Sequence, residues 1–357
     1  MKNPLLFLSF LLLPLITAYC QPATTPWDGK PLLRKQKLPL HTPLQTIAFG
    51  SCNRVDKDQR MWTAILQNHP DLWIWLGDNI YADTDDMQAM KTMYLQQKYT
   101  PEYQAFIQKT PVIGIWDDHD YGVNDGDKNY APKAISQQLM LDFLDVPAKA
   151  AVRQQQGAYQ SFTFGPKGQR VKILLLDGRY FRDELHPGPP GSGIRYAPNP
   201  TGDMLGEAQW QWLEKELRSS DAQVHIIGCG IQFLAEEQKY EKWANFPAAR
   251  ARLLRLLDQT RPAGAFLISG DRHIAELNQY TLPESGQALY ELTSSGLTHT
   301  WSFGSGANEP NAYRIGDLII ERNFGLIYID WAGDTPTLRV EVRGLENKRF
   351  LNQGIPK

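Results

Sequence analysis

The sequence has no long run of basic or of acidic residues. Lysine and arginine together number 37, aspartate and glutamate 39, and the formal net charge is -2. Charge this evenly balanced provides no extended field for holding nucleic acid or an anionic membrane surface. We therefore expect no nucleic-acid partner, and any polyanionic ligand must be bound locally.

Cysteine is scarce, with three residues in 357. Cys20 follows an apolar N-terminal stretch, which leaves Cys52 and Cys229 in the rest of the chain. In an oxidising compartment these two could form one disulfide. Against that pairing, Cys52 closes a predicted strand beside polar residues described below. Cys229 lies within an apolar predicted strand, where a packed thiol is the simpler interpretation.

A long hydrophobic run is also missing. Apolar residues extend only over 5–16, after Lys2 and before small and polar residues, which is typical of a signal peptide and too short for a membrane span. We predict a signal peptide over 1–20 and an extended leader over 21–45. The mature protein would be exported, periplasmic or secreted, without a transmembrane segment. A lipid anchor on Cys20 is the less favoured alternative, because the residue before it is bulkier than such sites usually have.

No Gly-x-Ser-x-Gly motif follows any predicted strand, which argues against a hydrolase with a serine nucleophile. Disorder is excluded as well, because 42% of the residues are apolar and can bury a large core. No repeat or shift in composition divides the chain. We predict a single domain over 46–357.

Short apolar segments alternate with helical ones along this domain. Each is nearly continuous in Ile, Leu, Val, Phe or Trp, which is typical of strands covered on both faces. The predicted strands are Thr46–Cys52, Leu72–Gly77, Val112–Trp116, Val171–Asp177, Val224–Gly230 and Ala265–Gly270. Helical spacing of apolar residues predicts helices over Leu205–Leu217 and Pro247–Leu257. The fold class is therefore α/β, in layers.

The pattern changes towards the C-terminus. Alternating residues predict antiparallel strands at Tyr290–Thr293, Gly325–Trp331 and Leu338–Arg343, close in sequence and forming a second sheet. The segment 183–201 lies between the predicted strand Val171–Asp177 and the predicted helix Leu205–Leu217. It is rich in proline and glycine and can be neither helix nor central strand. It is either a lid or binding wall or a solvated surface loop.

Side chains that can bind metals follow several of the predicted strands. The groups are Ser51-Cys52, Gly77-Asp78-Asn79-Ile80-Tyr81, Asp117-Asp118-His119-Asp120 and Gly270-Asp271-Arg272-His273. Taken singly, each is also common turn chemistry. In open α/β sheets, however, the carboxyl ends of the strands meet at one edge. Carboxylates gathered there raise one another's pKa values, and a bound cation removes that penalty. The sequence therefore predicts a metal centre, for which two ions are the natural arrangement.

These groups resemble the motifs of PhoD-like alkaline phosphatases, which belong to the calcineurin-like metallophosphoesterase superfamily. The resemblance is carried by Gly77-Asp78 with Tyr81, by Trp116-Asp117-Asp118-His119-Asp120 with Asn124, and by Ser269-Gly270-Asp271-Arg272-His273. It covers about residues 46–298. Gly50-Ser51-Cys52 stands where an Asp-x-His motif is commoner in the superfamily, as it does in PhoD-like members. The resemblance implies a four-layer αββα sandwich with metals at one edge of two packed sheets.

The resemblance also implies two metal sites that share Asp78. One site would be completed by Cys52, Tyr81 and His273, and the other by Asp118 and Asp271, with Asn124 as a weaker candidate. A thiolate and a phenolate favour Fe3+, and an all-oxygen site suits Ca2+. Zn2+ and Mn2+ are the alternatives.

The implied activity is hydrolysis of phosphate monoesters or diesters by a water activated between two ions. His119 lies beside a predicted ligand without being needed as one, so we predict it as the general acid or as a donor to the phosphoryl group. A structural capping role is the alternative. Arg179 and Arg182 could clamp a phosphate or form surface salt bridges. His225 is interpreted as a packed strand residue, and His299 stays undecided.

The natural substrate does not follow from the resemblance. Longer PhoD-like proteins carry an additional β domain before the catalytic one, whereas here only the predicted leader precedes the first strand. Phosphomonoesterase and phosphodiesterase activity both remain open, the latter including phospholipase D-like and envelope-polymer substrates. The competing class is a non-enzymatic metal-binding envelope protein, which would bind metal without turnover. The oligomeric state is not predicted.

Overall fold

A computed structural model of the protein describes residues 37–301 and 309–356. The predicted signal peptide with Cys20 lies outside the described residues, and so does the predicted leader up to residue 36. Over 37–45 the chain has neither helix nor strand. Within the described ranges, every helix is too short or too polar to serve as a membrane span.

The first sheet combines strands from both ends of the chain. In pairing order they are β15 (Arg349–Ile355), β14 (Thr337–Arg343), β13 (Phe324–Asp330), β1 (Thr46–Gly50), β2 (Leu72–Leu76) and β3 (Val112–Ile115). β1, β2 and β3 are parallel, and β13, β14 and β15 are each antiparallel to their neighbours. All side chains of β2 are buried, as expected for a parallel strand covered on both faces.

The second sheet has the same mixed construction. In pairing order its strands are β12 (Arg314–Ile319), β10 (Ala275–Thr281), β11 (Ala288–Ser294), β9 (Ala265–Ser269), β8 (Val224–Cys229), β5 (Val171–Leu175) and β4 (Gln160–Phe164). β11, β9, β8 and β5 are parallel. A short hairpin of β6 (His186–Pro187) and β7 (Tyr196–Ala197) forms within the proline-rich and glycine-rich segment.

Along the chain, most helices connect one parallel strand to the next. They are α1 (Met61–Leu66), α2 (Met87–Tyr99), α3 (Pro101–Ile107), α4 (Asp118–Tyr121), α5 (Lys133–Phe143), α6 (Gly206–Arg218) and α7 (Pro247–Thr260). α6 and α7 confirm the two helices predicted from apolar spacing.

The two faces of each sheet contact different layers, because successive side chains of a strand point in opposite directions. On one face of β2, Trp73 and Trp75 each lie 5.0 Å from Trp62 of α1, measured between ring centroids. On the other face, Leu76 lies against the second sheet, where a Cβ added at Gly228 would be 2.9 Å from its Cδ2.

The second sheet is divided in the same way. Ile173 and Leu175 of β5 belong to the core that the two sheets share, whereas Leu174 packs with α6 and α7 on the outer face. The layers are therefore helix, sheet, sheet and helix. The predicted αββα sandwich is confirmed.

The prediction that the C-terminal strands form a sheet of their own is wrong. β11 pairs in parallel with β9 of the second sheet, while β13 and β14 extend the first sheet from β1. Alternation along a strand reports only that one face is more buried than the other, and it carries no information about the pairing partner. Hence the antiparallel strands were recognised, but their distribution between the sheets was not.

Candidate metal centre

The side chains predicted as metal ligands meet where the parallel strands end. Cys52 follows β1, Asp78 follows β2 and Asp118 follows β3, while Asp271 and His273 follow β9 of the other sheet. We call these five residues, together with Tyr81, the candidate centre.

One half of the candidate centre is built from sulfur, nitrogen and phenol donors. Ligating atoms of Cys52, Asp78 and His273 all lie within 4.8 Å of one another. The thiol of Cys52 is 3.4 Å from Asp78 Oδ2. The Tyr81 hydroxyl is 3.1 Å from the same oxygen and 3.3 Å from His273 Nε2. These four side chains can therefore bind one ion together.

The other half is built from carboxylates. Oxygens of Asp117, Asp118 and Asp271 lie within 4.8 Å of one another, and Asp78 forms a similar group with Asp118 and His119. Asp78 is thus common to both halves. Among residues 37–301 and 309–356, its buried Oδ1 has no hydrogen-bond partner, and the same is true of Asp117 Oδ2.

The titration of these groups shows why a cation fits. Burial raises the pKa of Asp78 well above its usual range, and the neighbouring Asp118 raises it further. The pKa values of Asp271 and Tyr81 are also raised, first by burial and then by nearby acidic groups. Asp118 differs: burial raises its pKa, but the charges of Arg179 and His119 and the hydrogen bond from the Asp125 N–H together lower it to about 2. A bound cation would favour the charged forms of all four.

The backbone at the candidate centre adopts a conformation that L-residues rarely use. Cys52, Asp78, Asp271 and His273 have φ values of 62°, 50°, 67° and 56°. Positive φ at a residue other than glycine is strained and persists only where the surroundings impose it. These residues follow three different strands. The strained backbone at each of them indicates that the fold constrains the directions of these four side chains.

The two sheets approach closely at this edge. A Cβ added to Gly270 would lie 2.6 Å from both Leu76 O and Ser51 Oγ. No side chain fits there, because real Cβ atoms do not come within 3.0 Å of other heavy atoms. This contact between the loop after β9 and the ends of β1 and β2 brings Asp271 next to Cys52 and Asp78.

A buried carboxylate not predicted from the sequence holds the loops after β2 and β3 together. Asp120 accepts hydrogen bonds from the backbone N–H groups of Asp78, Asn79 and Asp117 at 3.0, 3.3 and 2.8 Å. It also accepts from Tyr94 at 3.3 Å. Asp120 therefore positions the candidate centre from behind and takes no place in it.

Arg179 and Arg182 form buried salt bridges, which corrects the alternatives of a phosphate clamp or a surface pair. Arg179 is fully buried and donates from Nε to Asp117 at 2.7 Å and from Nη1 to Glu241 at 2.5 Å. Arg182 Nε lies 2.9 Å from Glu241. Sequence patterns do not reveal these salt bridges, because Asp117 lies 62 residues before Arg179 and Glu241 lies 62 residues after it. Arg179 orients Asp117 and lowers the pKa of Asp118.

His119 lies at the mouth of the centre. Its ring stacks on Tyr81 with centroids 4.1 Å apart, and its Nδ1 lies 2.7 Å from Asp83 Oδ2. Burial alone would lower the pKa of His119, but the charge of Asp78 and the hydrogen bond with Asp83 raise it to about 10. Asp83 is a functional candidate that sequence reasoning missed. It is one of several aspartates in the same loop, and no sequence motif distinguishes it from the others.

The remaining predicted residues separate into near and far. The side chain of Asn124 is exposed and donates to Asp125, whose backbone N–H donates to Asp118 Oδ2, so its role as a ligand stays a prediction. His299, which was undecided, lies against the centre, 4.3 Å from His273 and 5.3 Å from Tyr81 between ring centroids. Burial and nearby positive charge lower its pKa to about 4.

The two cysteines are free thiols, so the disulfide alternative is wrong. Each is buried in a different setting. Cys52 belongs to the candidate centre, whereas Cys229 packs in β8, where burial raises its pKa to about 12. His225, also in β8, is a packed strand residue as predicted, with Nδ1 2.8 Å from Ala263 O and Nε2 2.7 Å from Ser220 Oγ.

The comparisons with known proteins agree with this geometry. The model of the PhoD-like phosphatase family matches residues 47–330. Alkaline phosphatase D of Bacillus subtilis (strain 168) is 22% identical in an alignment of 281 positions, and the match covers 65% of this chain and 46% of the relative. The chain thus spans about half the length of the curated relative that it matches.

Solved structures share the fold at low identity. The structure of PhoD has a TM-score of 0.66 and 18% identity, over 90% of this chain and 73% of that one. A dimetal phosphatase from Danio rerio has a TM-score of 0.54 and 14% identity, over 88% of this chain and 99% of that one. The family match itself begins in β1, ends in β13 and includes the loops that carry Cys52, Asp78, Asp118 and Asp271. Because the family model matches most of the chain, the chain belongs to the PhoD-like phosphatase family.

Proposed function

We propose that this protein is an exported phosphoester hydrolase that works with two metal ions at the candidate centre. The observation that carries the proposal is Asp78, which is shared by both halves of the centre and whose buried Oδ1 has no hydrogen-bond partner in the part of the chain that the structure describes. A buried carboxylate oxygen without a hydrogen bond is costly, and a coordinated cation removes that cost. Export rests on the apolar N-terminal pattern alone.

The donor types favour two different ions. Fe3+ is proposed for Cys52, Tyr81 and His273 with Asp78, because a thiolate and a phenolate are anionic donors suited to it. Ca2+ is proposed for the carboxylates of Asp118 and Asp271, since an all-oxygen set suits a hard cation. Asp117, whose buried Oδ2 has no hydrogen-bond partner among the described residues, is an additional candidate, and Asn124 remains the weaker one. Zn2+ and Mn2+ are the alternatives.

Bound metal ions would supply Lewis acidity to polarise the phosphoryl oxygens and activate water. His119 is the proposed proton donor to the leaving oxygen. Its Nδ1 is held by Asp83, so Nε2 is the atom free to carry that proton. The face of Tyr81 fixes the plane of the imidazole ring. Arg179 is too deeply buried to touch a substrate and acts by orienting Asp117.

The ester class is proposed more broadly. Phosphate monoesters and diesters are both candidates, and phospholipids or envelope polymers are the diester alternatives. Family membership and low-identity fold similarity do not distinguish them, since function depends on the site and not on the fold.

The test is elemental analysis of the purified protein, combined with turnover of matched phosphate mono- and diesters. We expect two metal equivalents per chain and hydrolysis of at least one ester class. Metal binding without turnover of any ester would instead support the non-enzymatic alternative. Full turnover by protein that contains no metal would overturn the proposal.

A further inference from the structure

A chain of contacts runs around one side of the candidate centre. Arg195 lies 2.9 Å from Asp125, and its guanidinium lies 5.6 Å from the centroid of the Tyr240 ring. Tyr240 stacks on Trp301 with centroids 5.2 Å apart and planes 28° from parallel. Trp301 in turn lies 5.8 Å from His273. We call these five residues the aromatic arc.

Both ends of the aromatic arc are anchored at the centre. At one end the backbone N–H of Asp125 donates to Asp118 Oδ2 at 2.7 Å. At the other end His273 belongs to the centre itself. A group attached to a phosphoryl at the centre can therefore reach the arc without leaving the surface.

The indole of Trp301 is held in place although it is exposed. Its Nε1 donates to Arg272 O at 2.7 Å, and its backbone N–H donates to His273 O at 3.2 Å. The residue nevertheless remains 36% exposed. A ring fixed in advance loses little conformational entropy when a ligand stacks on it.

Two guanidinium groups along the arc are already paired with carboxylates. Arg195 pairs with Asp125, and Arg272, which lies 4.9 Å from the centroid of the Tyr240 ring, pairs with Glu309 at 2.6 Å. These two groups therefore offer little free charge to a second anion. Paired guanidinium groups and aromatic rings favour a flat, uncharged π-system instead.

Exposed apolar side chains flank the arc in sequence. In the described part of the chain, the large hydrophobic residues classed as exposed are Leu40, Val123, Ile135, Ile194 and Trp301. Val123 lies two residues before Asp125, and Ile194 directly precedes Arg195. Exposed apolar residues thus occur close in the chain to both Asp125 and Arg195.

We propose that the aromatic arc binds a planar aromatic group in the alcohol portion of the phosphoester, such as a nucleobase. This inference rests on the proposed phosphoesterase function and adds a substrate class to it. The phosphoryl group lies at the candidate centre while the ring stacks on Trp301. Discrimination comes from the indole face and not from an additional charge.

The test compares two substrates with the same leaving oxygen. Adenosine 5′-monophosphate and ribose 5-phosphate both release a primary 5′-hydroxyl, and only the first carries a base. If the protein cleaves diesters only, the methyl esters of the same two compounds replace them. We expect kcat/KM to favour the nucleotide by about tenfold, since a base gains binding energy when it stacks on an aromatic side chain.

The variants separate stacking from other effects. Trp301→Ala should reduce the preference for the nucleotide to about one, while Trp301→Phe should retain most of it. Ile135→Ala removes an exposed hydrophobic residue that is not adjacent to the arc in sequence, and should keep the parent preference. Quenching of tryptophan fluorescence by adenosine 5′-monophosphate supplies a readout independent of turnover, and Trp301→Phe should weaken it.

Equal kcat/KM for the two substrates, or a nucleotide preference unchanged in Trp301→Ala, would overturn the inference and leave the phosphoesterase proposal standing. Failure to hydrolyse any phosphoester would overturn the proposed function instead. Fluorescence quenching that Trp301→Phe leaves unchanged would also count against the arc.

Discussion

His119 Nδ1 lies 2.7 Å from Asp83 Oδ2. Since this interaction occupies Nδ1, Nε2 is the nitrogen that can act on a substrate. Asp83 also raises the pKa of His119, together with Asp78, to about 10. Bound cations would lower that pKa towards neutrality, where a general acid is most effective. The pair therefore resembles a proton donor with an orienting carboxylate.

The first prediction concerns this pair. His119→Ala should lower kcat by about 10² to 10⁴, the usual contribution of a general acid, with metal content unchanged. Asp83→Asn should lower kcat less than His119→Ala does. It should also lower the pKa of His119, because the negative charge beside Nδ1 is removed. Steady-state pH profiles and elemental analysis check both. Asp85→Asn, in the same exposed loop, is the matched control and should behave as the parent. Equal losses of metal and of activity in His119→Ala would mean that His119 acts as a ligand.

The second prediction concerns the metal bound by Tyr81 and Cys52. If that ion is Fe3+, the purified protein should be coloured by charge transfer from the phenolate and the thiolate. Tyr81→Phe should shift or bleach the visible band, whereas Tyr94→Phe, a buried tyrosine that contacts Asp120, should preserve it. Cys52→Ala should lose metal, and Cys229→Ala should retain it. Visible absorption spectra and metal analysis are the measurements. A colourless protein with full activity would rule out the iron assignment and leave the fold unaffected.

The third prediction concerns the buried salt bridges of Arg179. Arg179→Met removes the guanidinium that lies 2.7 Å from Asp117 and 2.5 Å from Glu241, and it leaves the contact of Glu241 with Arg182 in place. We expect the free energy of unfolding to fall by about 3–5 kcal/mol, as when one partner of a buried pair is removed. Urea unfolding measures this. Arg218→Met breaks an exposed pair with Glu214 and should change stability by less than about 1 kcal/mol. Similar effects of the two substitutions would contradict the buried network.

The fourth prediction concerns His225 and pH. Burial lowers the pKa of this histidine below its usual 6.5, so the folded state holds it neutral where the unfolded state binds a proton. Between 6.5 and the folded pKa the unfolded state binds more protons, and the free energy of unfolding must fall as the pH falls. His225→Gln should flatten that decline and lower stability at pH 7 by about 1–3 kcal/mol, because buried hydrogen bonds are lost.

Urea midpoints measured at pH 7 and pH 5 check this prediction. The same substitution at His186, whose side chain is exposed, serves as the control and should leave the pH dependence as in the parent. A decline of unchanged steepness in His225→Gln would assign the acid sensitivity to other groups.

Some features were recognisable before any coordinates. β2 consists of Leu72, Trp73, Ile74, Trp75 and Leu76, a continuous apolar segment that predicts a strand buried on both faces. The residues after the strands were equally informative, because parallel strands place their carboxyl ends on one side. Cys52, Asp78, Tyr81, Asp118, Asp271 and His273 were selected on that argument together with the family resemblance, and the structure brings them together. Their roles as ligands stay predictions.

Other features depend on pairs of residues far apart in the chain. Neither the buried contact of Arg179 with Asp117 nor the hydrogen bonds that Asp120 accepts from Asp78 and Asn79 could be read from local patterns, since a charged residue after a strand has the same sequence signature on the surface.

The sequence by itself determined the period of each element, the burial of the parallel strands and the kinds of donor available at their ends. These follow from local order, because neighbours in the chain are neighbours in space. Only the tertiary structure decided which sheet each C-terminal strand joins, that His119 meets Asp83, and that Tyr240 and Trp301 stack beside the centre. Such contacts depend on how closely two sheets can approach, and here the absence of a side chain at Gly270 permits it.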